Sequence, residues 1–238
     1  MIEMRIKTIV LLSLATILPL GGQAQTTSPN VAPTATVIDK DGTETEYQPG
    51  SSISVNAPQL IRFRANPINM EDYNPTYEWH FQRNEEETEM MVRYEEDTEY
   101  TFMQEGMTRI TLKVKLDNEG NELPSSNVFE VTVSSSQLAF PNAFSPNNGD
   151  NLNNTFKPKT CQSIVEFHAY IFNRWGQKLY DLTDPDAEGW DGTYNGKDVK
   201  DGVYFLLCKA KGSDGRVYNI RKDINLLRGY IEGTTLNN

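Results

Sequence analysis

The chain alternates apolar and polar residues with a period of two over several short segments. In residues 60–65, Ile61, Phe63 and Ala65 share one face, whereas the arginines between them point the other way. The same alternation recurs in residues 77–82, 110–116, 128–133 and 165–171. Each segment predicts a strand that buries one face and exposes the other, which is typical of antiparallel sandwiches.

A long apolar run occurs at the start of the chain, in residues 8–20, after Arg5 and Lys7. Its thirteen residues are too few to span a hydrocarbon core, which needs about 20. Small residues follow at Gly22 and Ala24, and no cysteine lies nearby. The pattern predicts a signal peptide over residues 1–24 that is removed on export, leaving a mature chain without a transmembrane segment.

The excess negative charge lies in the first half of the mature chain. Residues 25–135 carry 20 acidic and 8 basic side chains, a net charge of −12, whereas residues 136–238 carry 12 of each. Much of the acid is concentrated in residues 85–87 and 95–97. An acidic surface repels phosphate, so we expect a solvated face and no nucleic-acid partner, with a basic partner or divalent cations left open as alternatives.

The polar stretch Ser134-Ser135-Ser136 divides the mature chain into two strand-rich parts, residues 25–135 and 136–238. Residues 77–81, Tyr-Glu-Trp-His-Phe, match the Tyr-x-Trp-x-Phe strand of one family, and residues 100–102 and 108–116 support the match. The first part thus resembles a PKD-type immunoglobulin-like domain. Such domains are mostly spacers or binding modules, and the resemblance implies no catalytic residue.

The second part carries four ordered motifs in residues 140–156, 171–176, 189–192 and 201–205. Their marker residues are Phe144, Pro146, Asn147 and Asp150, then Asn173, Arg174, Trp175 and Gly176, then Trp190, Asp191 and Gly192, and finally Asp201, Gly202 and Tyr204. Over residues 138–228 this order resembles the gliding-motility-associated C-terminal domain of Bacteroidetes, the type B sorting domain of the type IX secretion system. The fold class we expect is therefore all-β, with two tandem immunoglobulin-like β-sandwiches.

Two cysteines remain in the mature chain, Cys161 and Cys208, and an even count in an exported protein predicts a disulfide between them. Two separate buried thiols are the alternative. The loop at residues 147–154 offers Asp150 and several asparagine oxygens to calcium, but asparagine is also an ordinary turn residue. We therefore predict no metal or cofactor site, with calcium at this loop left open.

No arrangement of residues in the sequence predicts catalysis. The histidines are His80 and His168, and each falls on the polar side of a predicted strand. Neither a nucleophile elbow nor a phosphate-binding glycine loop is present in the sequence. The chain is therefore predicted not to be an enzyme.

The function these features predict is that of a non-catalytic envelope or surface protein. Its second domain would direct export or attachment through protein partners of the envelope, including the secretion machinery, and its first domain would be presented. A structural scaffold subunit, periplasmic or associated with the outer membrane, is an alternative, because ten residues follow Arg228 where family members usually end. A carbohydrate-binding module using Tyr73, Tyr94 or Tyr100 is a further alternative.

Overall fold

The computed structural model describes residues 28–83, 89–117, 121–124, 127–149 and 152–228. The predicted signal peptide, the acidic residues 85–87 and the segment after Arg228 lie outside these ranges. Every regular element in the described residues is a strand, and the strands form two immunoglobulin-like sandwiches. The predicted all-β class is confirmed.

The first sandwich is formed by eleven strands, β1 to β11. A four-stranded sheet, in the order β3-β2-β5-β9, packs against a five-stranded sheet, in the order β4-β11-β10-β7-β8. Strands β1 and β6 form a separate pair. The bounds are β1 (Asn30–Val31), β2 (Thr34–Ile38), β3 (Glu44–Tyr47), β4 (Ser52–Val55), β5 (Gln59–Arg64), β6 (Pro67–Ile68), β7 (Thr76–Arg83), β8 (Glu89–Arg93), β9 (Asp97–Phe102), β10 (Gly106–Lys115) and β11 (Val128–Val133).

The core of this sandwich is formed by the apolar members of the alternating segments. Ile61, Phe63 and Ala65 have no exposed surface, as their shared face predicts. The Phe63 ring lies at the centre, with its centroid 5.7 Å from that of Trp79 and 5.8 Å from that of Phe129. Aromatic rings at such separations add attraction to the area that they bury.

The second sandwich is formed by nine strands around one five-stranded sheet, in the order β13-β20-β19-β15-β16. Connecting segments and two short pairs, β12 with β14 and β17 with β18, accompany this sheet. The proline-bearing opening segment lies at the sheet edge, because β13 pairs only with β20 among the described strands. The bounds are β12 (Gln137–Ala139), β13 (Ala143–Phe144), β14 (Thr160–Gln162), β15 (Ile164–Phe172), β16 (Lys178–Leu182), β17 (Thr193–Tyr194), β18 (Lys197–Asp198), β19 (Gly202–Gly212) and β20 (Val217–Leu226).

Hydroxyl groups connect the two sandwiches, at a place that we call the serine junction (Ser134, Ser136, Ser163 and Ser213). The Ser163 hydroxyl accepts a hydrogen bond from the amide of Ala57 at 3.2 Å and lies 2.8 Å from the hydroxyl of Ser134. The Ser213 hydroxyl donates to the Ser134 carbonyl at 2.9 Å, and its own carbonyl accepts from the Glu105 amide at 3.1 Å. Ser163 and Ser213 are buried and Ser134 is half-buried, so these bonds are partly shielded from water.

An ion pair also crosses from one sandwich to the other, between the Lys40 ammonium and the Asp186 carboxylate. The hydrogen bond to Asp186 raises the pKa of Lys40 above its usual value. Because both side chains are well exposed, this pair contributes less to the orientation of the sandwiches than the buried serines do.

Two expectations about exposed side chains change in the structure. His80 does face outward from its sheet, but its side chain is only 13% exposed, because it lies between Glu78, at 3.2 Å, and Glu89. Tyr100 is not an open platform for sugars either. Its ring packs against those of Phe81 and Phe102, at centroid distances of 5.4 and 4.9 Å.

Replacing Phe63 by alanine should lower the free energy of unfolding by about 3–5 kcal/mol, since a fully buried ring leaves a cavity between Trp79 and Phe129. Urea denaturation followed by far-ultraviolet circular dichroism measures this change. Tyr94→Ala is the matched control, because that ring is 73% exposed and its loss should change stability by less than about 0.5 kcal/mol. Equal losses for the two variants would contradict the assignment of this core.

Candidate functional site

The marker residues of the second sandwich that the structure describes lie at one end of its sheet. Phe172, the last residue of β15, pairs with Phe205 near the start of β19, and Gly202 pairs with Leu226 at the end of β20. The hairpin at residues 173–176, the turn at residues 201–202 and Arg228 therefore meet at this end. The serine junction lies at the opposite end, where Ile164 pairs with Gly212. We call the first of these the motif end.

Trp190 is the centre of an aromatic cluster at the motif end. It has no exposed surface, and its ring centroid lies 5.3 Å from that of Phe144 and 5.1 Å from that of Tyr204. Its indole N–H donates to the carbonyl of Thr193 at 2.8 Å, which satisfies the polar atom that its burial would otherwise isolate. The backbone of Trp190 also exchanges two hydrogen bonds with Phe156.

Arg228 connects the loops of the motif end to the last strand. One guanidinium nitrogen, Nη2, donates to the carbonyl of Gly192 at 2.8 Å, and Nη1 lies 2.9 Å from Asp201. Nη1 also donates to the carbonyl of Val199. The flat fork of an arginine suits such multiple acceptors, and the side chain is only 20% exposed. The sequence marked Arg228 only as the point where family members usually end, and it did not reveal this role.

Gly192 lies where no larger residue fits. Its φ of +82° belongs to the left-handed region, and a Cβ there would lie 2.8 Å from Leu226 Cδ1 and 3.3 Å from the ring of the buried Pro146. The neighbouring Asp191 is exposed and turns the chain, since its carboxylate accepts from the amide and the hydroxyl of Thr193 at 2.9 and 2.8 Å. These contacts bring the first and third motifs together.

The second motif forms the exposed tip of the hairpin between β15 and β16. Asn173 shapes the turn, because its Oδ1 accepts from the amides of Trp175 and Gln177, each at 3.0 Å. Trp175 is 81% exposed, and the guanidinium of Arg174 lies 5.2 Å from the centroid of its ring. Trp175 and Arg174 therefore present an aromatic and a cationic group to solvent.

The loop proposed for calcium is described only in part, because Asp150 and Asn151 lie outside the described residues. Asn147 and Asn153 have positive φ values of 59° and 51°, so both serve as turn residues. In the described part of the chain, no group of three or more potential metal ligands is close enough together to hold an ion.

The structure does not form the predicted disulfide, and both cysteines are free thiols. Cys208 points from the central strand β19 into the core, whereas Cys161 lies half-buried on β14. Burial raises the pKa of Cys208 to about 12. Burial, followed by the nearby Asp186 carboxylate, also raises the pKa of Cys161. Cys208 thus packs as a small apolar side chain, which fits the alternative of two separate buried thiols, whereas Cys161 is only half-buried.

His168 lies at the surface of the sheet rather than in a cleft. Its Nε2 lies 2.6 Å from Asp181, its Nδ1 lies 3.2 Å from the hydroxyl of Tyr170, and its side chain is 41% exposed. Within the described ranges, no helix is long and apolar enough to cross a membrane.

Comparison with protein families identifies the second sandwich. Residues 138–221 match the family model described as the CHU_C type IX secretion signal domain. Over these residues the second sandwich is similar to domains of this kind. Such a domain implies export to the cell surface or secretion, and interaction with the secretion machinery. No curated protein sequence matches the chain.

Several solved structures are similar to parts of this chain at low sequence identity. The soluble domain of PmoD from Methylocystis sp. ATCC 49242 is 14% identical, with 43% of this chain and 90% of that chain covered, at a TM-score of 0.31. Fibronectin(III)-like modules of CbhA from Clostridium thermocellum are 13% identical, with 78% of this chain and 94% of that chain covered, at a TM-score of 0.24. SGBP-B of the Bacteroides ovatus mixed-linkage glucan utilization locus is 17% identical, with 73% of this chain and 42% of that chain covered, at a TM-score of 0.26.

Gly192→Ala should destabilise the protein more than Gly176→Ala, although both residues have a similar positive φ, +82° and +78°. The cost of that backbone conformation, about 1 kcal/mol, is common to the two variants. Only the Cβ at position 192 meets other atoms within 4 Å, and we expect the crowding to cost a further 1–3 kcal/mol, roughly. Chemical denaturation measures both, and equal losses would mean that the motif end is loosely packed.

Cys208 should resist alkylation by iodoacetamide at pH 8 in the native protein. Since its pKa is about 12, its thiolate fraction at pH 8 is on the order of one in 10,000, and it rises only as the pH approaches that value. Mass spectrometry after alkylation, with and without guanidinium, measures the outcome. We expect both thiols to be labelled once the chain unfolds. Failure of labelling in guanidinium without a reductant would instead reveal a disulfide.

Proposed function

We propose, from the premise that residues 138–221 form a type IX secretion signal domain, that this protein is sorted to the cell surface by its second sandwich and presents its first sandwich as a non-catalytic adhesion or spacer module. The family match is the observation that carries this proposal. The signal peptide over residues 1–24 supplies the first step of export, across the inner membrane.

The position of the motif end supports separate roles for the two sandwiches, with sorting by the second and presentation of the first. Because the serine junction and the motif end lie at opposite ends of the same sheet, Trp175 and Arg174 are directed away from the first sandwich. A secretion or attachment partner could therefore contact the motif end without displacing the first sandwich. We place the domain boundary between Ser135 and Ser136, within the serine-rich connection.

The charge of the first sandwich supports its role as the presented module. Glu95, Glu96 and Asp97 are exposed, and the outward face of the four-stranded sheet carries further carboxylates at Glu44 and Glu46. Such a surface keeps a protein soluble and suits contact with basic protein partners. No enzymatic chemistry is needed for this role.

Removing the second sandwich should abolish surface exposure. We expect the full-length protein to reach the cell surface and to be cleaved by protease added to intact cells, whereas a form truncated before Ser136 should stay protected in the periplasm. Cell fractionation and immunoblotting measure both. The signal peptide is kept in the two forms, so that transport across the inner membrane is the same.

Two variants of the full-length protein separate sorting from folding. Trp175→Ala changes a side chain that is 81% exposed, so the fold should be kept. Because the motif end loses its exposed aromatic group, this variant should reach the cell surface less efficiently. Tyr94→Ala makes a comparable exposed change in the first sandwich and should be sorted normally. If the full-length protein and the truncated form both remain periplasmic and protected, surface sorting is wrong and the scaffold alternative is favoured.

A further inference from the structure

The five-stranded sheet of the second sandwich has an outward face with an apolar centre. On β19, Val203 and Phe205 are 45% and 40% exposed, and Leu207 follows on the same side. Tyr170 and Phe172 on β15 lie directly beside Leu207 and Phe205. We call these five residues the open sheet face. A soluble protein seldom leaves this many neighbouring apolar side chains uncovered without a binding role.

The register of the strands places charges at both sides of the open sheet face. In one row across the sheet, Arg221 on β20 is followed by Leu207, Tyr170 and then Asp181 on β16. The next row runs in the same direction from Asp223 through Phe205 and Phe172 to Lys178. Each row therefore ends in opposite charges, and the two rows have opposite polarity.

The charges on β20 lack counterparts within the described chain. Among the described residues, neither Arg221 nor Asp223 makes an ion pair. On β16, Lys178 lies 2.7 Å from Asp181, and its ammonium lies 5.2 Å from the centroid of the Tyr170 ring. Both β16 charges stay substantially exposed, at 50% and 40% of their side chains.

The charge pattern of the open sheet face is complementary to itself when one copy is rotated by a two-fold axis onto another. We propose that the open sheet face binds a second copy of this chain, about a two-fold axis that runs parallel to the strands over β19. Such an axis stacks β19 on β19 and places β20 of one copy over β15 and β16 of the other. Arg221 then approaches Asp181 of the other copy, and Asp223 approaches Lys178. Phe205 and Leu207 of both copies meet in the centre.

The dimensions of the face fit a weak dimer. The four strands β20, β19, β15 and β16 span about 19 Å, and residues 203–207 of β19 extend over about 17 Å. The resulting footprint of roughly 300 Å² per copy is smaller than the roughly 800 Å² per partner of a standard interface, so we expect a weak, reversible association. An apolar centre with charged residues at its edge is also the usual anatomy of such interfaces, and stacked sheets pack about 10 Å apart.

Charge reversal tests the proposal with the purified full-length protein in sedimentation equilibrium. We expect the unchanged protein to dimerise, and Arg221→Glu and Asp181→Arg each to raise the dimer dissociation constant at least about tenfold, since two like-charged contacts replace two attractive ones. An equimolar mixture of the two variants should restore the dimer. In the mixed dimer, Glu at position 221 faces Arg at position 181 and the unchanged Arg221 faces the unchanged Asp181.

Lys159→Glu is the control, because it makes a similar charge change at an exposed position between Phe156 and β14, away from the face, and should leave the dissociation constant unchanged. Three outcomes would overturn the proposal: an unchanged protein that is monomeric up to millimolar concentration, single variants that still dimerise normally, or a mixture that stays monomeric. The first would assign the face to a different partner. Circular dichroism of each variant verifies that it is folded.

Discussion

The hydroxyl of Ser163 joins the two sandwiches, which share no sheet in the described structure. It accepts from the amide of Ala57 in the first sandwich and contacts Ser134 in the connecting segment, while the Ser163 carbonyl accepts from Ser213. Buried hydrogen bonds of this kind are costly to break, because each separated polar group would remain away from water. The two sandwiches therefore keep one relative orientation, and the direction of every exposed surface depends on it.

The motifs of the second sandwich have two different physical roles. Trp190, Gly192 and Tyr204 are buried, and the Trp190 ring packs on Phe144 and Tyr204 of the single large sheet, forming with them a buried aromatic layer on its inner face. Arg174 and Trp175 are exposed at the hairpin tip and contribute little to that layer. A family signature in this domain thus combines residues that the fold requires with residues that are free to contact a partner.

Period-two alternation predicted the buried faces of the first sandwich well, because polar residues separate the apolar ones in segments such as 60–65. It failed to orient β19, where residues 203–207 are all apolar and the sequence alone does not show that Phe205 points to solvent. The serine junction also escaped prediction, since serines are common in loops and their partners are distant in sequence. His80 and the cysteines show the same limit, because burial and pairing depend on neighbours from other strands.

The opposite placement of the serine junction and the motif end has a mechanical consequence. A stretching force applied between the first sandwich and Arg228 acts along the strands of the second sandwich rather than across them. Strand β20 would then be loaded in shear against β13 and β19, and the ten residue pairs that join it to β19 would have to give way together instead of one after another. The same geometry that directs the motif end outward makes the second sandwich resistant to unfolding under a stretching force.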